Sequence, residues 1–173
     1  MLWVAGATAL VAQSVAKTPR EDVVKAVLTD PTLTAALPAD GRPVFEKVCA
    51  TCHKFGSLGK EVGPDLTTLA SRVKKPEALE SMLWPSRQIA DQYQTTMIEK
   101  KDGQIVAGMV LREDAARVVV VSPPALDAPI TVLKSQIKAR RKSSTSLMPE
   151  DLLNEFTLPQ VAALLAFLYS TPR

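Results

Sequence analysis

The only two cysteines and the only histidine of the 173-residue chain lie within five consecutive positions, Cys49-Ala50-Thr51-Cys52-His53. Two thiols three positions apart, followed at once by an imidazole, fit the covalent geometry of one cofactor. Each thiol can form a thioether with one of the two vinyl groups along an edge of a haem, and the histidine then places its ring under the iron. Three other chemistries fit less well. A structural zinc takes four protein ligands, and the chain offers three Cys or His groups with no second pair elsewhere. A thiol redox motif usually follows a strand in a βαβ unit, whereas these flanks read as helix before and glycine-rich loop after. A bare disulfide would close so short a loop that it contributes modest stability.

A haem iron held by His53 has a second axial position, and with no other histidine the sulfur of methionine is the leading donor. Met82 belongs to the inward stripe of a helix, and Met97 and Met109 fall in strand patterns, so packing accounts for each. Met148 differs. Ser146-Leu147-Met148-Pro149 reads as a loop before the last helix, with Pro149 stiffening the backbone behind the sulfur; a loop methionine covering the core is the alternative.

The elements that must position these groups follow from periodicity. Thr18-Pro19-Arg20-Glu21 has the form of a capping box and predicts a short helix to about Leu28. The proline, threonine and aspartate residues of 29–40 read as a linker. Asp40 can then cap a helix in which Val44, Phe45 and Val48 share a face and which runs into the cysteine motif. Gly56, Gly59, Gly63 and Pro64 make a loop, after which residues 76–83 resume a helical pattern ended by Pro85. Residues 95–99, 104–111, 117–122 and 130–133 are rich in β-branched side chains, and Asp102-Gly103 is a hairpin turn signal, so a small antiparallel sheet is expected over about 93–133. A final helix, residues 158–170, carries Val161, Leu164, Leu165 and Leu168 behind a Thr157/Gln160 capping box. The division expected is a segment 1–39 followed by one domain, 40–173, with the sheet inserted.

Composition limits the remaining options. An apolar fraction of 46% is that of a globular protein, and an aromatic content of only 5% leaves room for a flat cofactor in the interior. The net charge of +3 is far from the basic loading of a nucleic-acid-binding domain. Residues 2–12 form an apolar, small-residue run and Ser14-Val15-Ala16 resembles a signal-peptidase site, which implies export; a buried helix from a longer parent is the other reading, since no Lys or Arg precedes the run. The run is shorter than the roughly 20 apolar residues a bilayer span needs. Lys134, Lys138, Arg140, Arg141 and Lys142 form a basic stretch, either a solvated face or a docking rim for an acidic redox partner.

The residues 41–45, Cys49 to His53, Val62-Gly63-Pro64-Asp65-Leu66, Leu83-Trp84-Pro85-Ser86, Asp102-Gly103 and Ser146-Leu147-Met148-Pro149 together resemble the c-type cytochrome module common in planctomycete and verrucomicrobial bacteria. The resemblance covers about 40–170. It implies a mainly α, class I cytochrome c-like domain with a small antiparallel sheet inserted before the methionine ligand. It also implies one covalent haem c held by Cys49 and Cys52, axial ligation by His53 and Met148, and a Pro64 carbonyl that accepts a hydrogen bond from the proximal imidazole. A saturated iron of this kind carries single electrons and catalyses no reaction of its own. The implied partner is a redox protein, acidic or a fused or associated dehydrogenase, outside the cytoplasm. The competing function is a haem enzyme or gas sensor with a displaceable distal ligand, or an accessory haem module that docks a larger protein.

Overall fold

Prolines set the helix lengths in the first part of the computed structural model, which describes residues 13–123 and 125–172. Helix α1 spans Arg20–Thr29. Its expected capping box does not form, because the Thr18 hydroxyl donates instead to the Ser14 carbonyl at 2.9 Å. The stretch expected as a linker holds a further turn, α2 (Pro31–Thr34), in which Asp30 accepts from the amides of Thr32 (2.8 Å) and Leu33 (3.3 Å) and Leu33 is buried. Helix α3 (Pro38–Val44) starts on Pro38 rather than being capped by Asp40. Pro43 has no N–H to continue the ladder, and Phe45–Cys49 widens into a π turn closed by the Ala50 amide on the Phe45 carbonyl, 2.9 Å. That turn delivers the chain to the cysteine motif.

The chain divides into two units. Among the described residues the first comprises 13–84 and 150–172. Its remaining elements are a hairpin of β1 (Lys54–Phe55) and β2 (Leu58–Gly59), and the helices α4 (Leu69–Arg72), α5 (Lys75–Leu83) and α6 (Leu158–Leu168). Helix α6 is almost wholly apolar and begins at the expected box, with the Thr157 amide on Gln160 Oε1 at 2.9 Å. It lies directly against α3: a Cβ on Gly41 would stand 2.0 Å from the Ala163 carbonyl oxygen, so only glycine permits this crossing. Phe45, Phe55 and Phe167 pack in a triad with ring centroids 4.8 to 5.9 Å apart, tying the motif-bearing turn and the hairpin to α6. Residues 2–12 lie outside the described residues. Ser14 bridges Thr157, the Val15 amide donates to the Phe156 carbonyl at 2.9 Å, and Val15 is buried, so the expected processing site sits against the start of α6.

The second unit, Pro85–Pro149, is a five-stranded antiparallel sheet. Its strands are β3 (Thr96–Lys100), β4 (Ile105–Glu113), β5 (Arg117–Val121), β6 (Ile130–Leu133) and β7 (Ile137–Lys142), in the order β6-β5-β4-β3-β7. Asp102-Gly103 turns β3 into β4, with Gly103 at φ 86°. Ile98, Val106, Val118, Val120 and Val132 form its core. The two outer strands, β6 and β7, are joined by the single 3-10 turn Lys134–Gln136, so the sheet must coil until its edges approach. A register shift between Val110 and Arg112 bends β4, and Glu113 at its end reaches Lys134 and Arg140, each at 2.8 Å.

These strands overturn the expected mainly α class: helix accounts for 37% of the chain and strand for 22%. The sheet gains β7 from the basic stretch, and the prolines keep all but α6 to ten residues or fewer.

Candidate functional site

Cys49-Ala50-Thr51-Cys52-His53 closes one tight turn, with the amides of Cys52 and His53 both donating to the Cys49 carbonyl at 3.0 and 2.8 Å. Cys49 is buried and Cys52 half-buried, and both thiols are free. Burial pushes the Cys49 thiol up to about 12, and Cys52 is also raised, chiefly by burial. A thiol redox motif attacks through a thiolate, which burial disfavours at both positions. Among the described residues no group of three or more Cys, His, Asp or Glu could hold a metal ion.

His53 is pinned from one side. Its Nδ1 lies 2.8 Å from the Pro64 carbonyl oxygen, which can only accept, so Nδ1 carries the proton and donates. Burial lowers the pKa of His53 and the bond to Pro64 partly opposes this. The neutral ring therefore presents an unshared pair at Nε2, the form in which imidazole binds metals. Pro64 is held in turn. The amides of Val62 and Gly63 donate to the Cys52 carbonyl at 3.0 and 2.7 Å, and the Leu66 amide donates to Lys54 at 2.8 Å. Asp65 accepts from the Thr67 amide at 2.7 Å, and hydrogen bonding to Thr67 holds its carboxyl below the usual range. The β1–β2 hairpin replaces the plain loop expected over the glycines after His53 and returns the chain beneath the motif. Gly56 and Gly59 at φ 60° and 80° are its signal.

Residues 38–119 match the cytochrome c family model. The match supports a c-type cytochrome module that binds haem and serves electron transfer. It covers just under half of the chain, takes in Cys49, Cys52, His53 and Pro64, and stops within β5. No curated protein matches the chain significantly. No helix among the described residues is long and apolar enough to cross a membrane.

The first unit thus brings together Cys49, Cys52, His53 and Pro64. Met148 belongs to the second, beyond the family match, half-buried in the loop that follows β7, where its amide donates to Ser146 Oγ at 3.1 Å and the Ser146 amide donates to Ser86 Oγ at 3.1 Å. Met82 and Met109 are buried in α5 and β4, and Met97 is half-buried in β3. A haem fits this donor set: two free, protonated thiols and an imidazole whose outer nitrogen is the one left unpinned.

Proposed function

We propose that the protein is a monohaem c-type cytochrome that transfers single electrons, exported from the cytoplasm, and of the kind seen in planctomycete and verrucomicrobial bacteria. The observation that carries this is the His53 imidazole fixed by Pro64 on the same turn as two free thiols. Cys49 and Cys52 would hold the haem covalently, each thiol S–H adding across one vinyl C=C to give an S–C and a C–H bond without net redox change. The bound haem supplies a one-electron ferric/ferrous couple. The chain's own residues would hold it: His53 would bind the iron through Nε2, with Pro64 fixing the ring and raising its basicity, and Met148 would supply a thioether sulfur. An iron held by both His53 and Met148 would have no open position for a substrate, as an electron carrier requires and an enzyme or gas sensor does not. The coiled sheet of the second unit supports the planctomycete and verrucomicrobial reading, because that module carries a β insertion ahead of its methionine ligand.

Denaturing gels stained for haem test the attachment. After expression with cytochrome c maturation machinery the wild type stains and Cys49→Ala with Cys52→Ala does not. An unstained wild-type band sinks the reading.

A further inference from the structure

We propose that Gly63 is the positioning residue for the proximal ligand, its bare Cα forming the surface against which the His53 ring is set. The inference rests on the haem reading above and goes beyond the Pro64 bond. A Cβ built on Gly63 would stand 2.8 Å from His53 Cε1, 3.0 Å from Nδ1 and 3.2 Å from Nε2. Distances that rise so little across three ring atoms place that point over the ring face rather than beyond its edge. No side chain fits there, and the backbone cannot withdraw. The Gly63 amide is tied to the Cys52 carbonyl at 2.7 Å, and the next residue is a proline of fixed φ whose carbonyl holds Nδ1. The backbone of 62–64 therefore grips the ring through the Pro64 bond and the bare face of Gly63 together, and any substituent at Gly63 has to turn the ring out of its bond to Pro64.

Loss of that bond lowers the basicity of the imidazole, weakens its donation to ferric iron and raises the reduction potential. Gly41 supplies the control. Its position is at least as crowded, with a Cβ 2.0 Å from the Ala163 carbonyl oxygen, but it lies at the crossing of α3 and α6 and the three atoms nearest that Cβ belong to Ala163 and Leu164 rather than to His53. Potentials and proton NMR spectra of haem-loaded wild type, Gly63→Ala and Gly41→Ala decide the matter. Gly63→Ala is expected to raise the potential and to change the spread of the paramagnetically shifted haem methyl resonances, which follows the orientation of a planar axial ligand; Gly41→Ala is expected to lower thermal stability and leave both unchanged. A Gly63→Ala protein with wild-type potential and methyl pattern, or an equal shift in Gly41→Ala, overturns the assignment. If Gly63→Ala does not accumulate, the ferrous wild type is read directly: a strong nuclear Overhauser contact between Gly63 Hα and His53 Hε1 supports the proposal, and its absence refutes it. A wild type that loads no haem at all instead defeats the functional reading on which the proposal rests.

Discussion

At His53 the proton on Nδ1 is committed to Pro64, so the ring would offer a haem iron one pair of electrons through Nε2, and a second protein ligand would have to come from elsewhere. Packing explains Met82 and Met109, both buried, whereas Met148 stands in a loop braced by Ser146 and Ser86. Met148→Ala is therefore expected to remove the long-wavelength sulfur-to-iron absorbance band of the ferric protein, to lower the potential, and to let carbon monoxide bind where the wild type resists it. Retention of the band and of the wild-type potential would show that another residue fills the distal position. Ala is preferred to a ligating replacement here because it leaves the position open and so reads vacancy rather than exchange.

Among the elements, Glu113 joins strands that the sheet order keeps apart. Its carboxylate pairs with Lys134 after β6 and Arg140 on β7, and both hold its pKa below the ordinary 4.5. A carboxyl whose folded pKa is depressed contributes stability that is fully present above its unfolded value and is lost as pH falls through the folded one. Glu113→Gln should accordingly cost on the order of 1 kcal/mol at pH 7, the upper range for partly exposed pairs. The gap from wild type should narrow from about pH 4.5 downward and close once the wild-type carboxylate is protonated. Urea unfolding of the two proteins across that range measures it, and a gap that persists at the acid end would assign the loss to packing instead. The same strands show what a sequence can and cannot disclose. The β3–β4 turn and the box at α6 were legible, because Asp102-Gly103 and Thr157/Gln160 act through their immediate neighbours. Strand β7 was not, since an edge strand with five exposed residues out of six lacks the alternation that marks a half-buried strand. Helix α2 was hidden by the prolines and threonines around it. The motif itself needed no tertiary context, but the ring-to-Gly63 approach is a distance between backbone and side chain that spacing alone does not carry.

Over the whole molecule charge is unevenly divided. The segment Pro85–Pro149 holds ten Lys and Arg against six Asp and Glu, so it carries more than the entire net charge of +3. Its basic strand is not uniformly available for docking, however. Lys138 pairs with Glu99, and Lys134 and Arg140 share Glu113. Arg141 and Lys142 form no salt bridge among the described residues, although Lys142 donates to the Asp91 carbonyl at 3.3 Å. An acidic redox partner approaching β7 would be steered chiefly by these two. Exposed charges act on encounter and are screened within roughly 10 Å at 0.1 M salt, so they should change the association rate while leaving the potential alone. Stopped-flow reduction by an acidic electron donor is expected to slow several-fold as ionic strength rises. Arg141→Glu with Lys142→Glu should lower the low-salt rate and flatten that dependence more than Lys138→Gln with Arg140→Gln, whose partners Glu99 and Glu113 already offset them. Equal effects from both double variants would mean that the partner reads the summed charge of the strand. A rate independent of salt in the wild type would leave β7 a solvated edge, whose lysines and arginines serve to keep other strands from pairing with it.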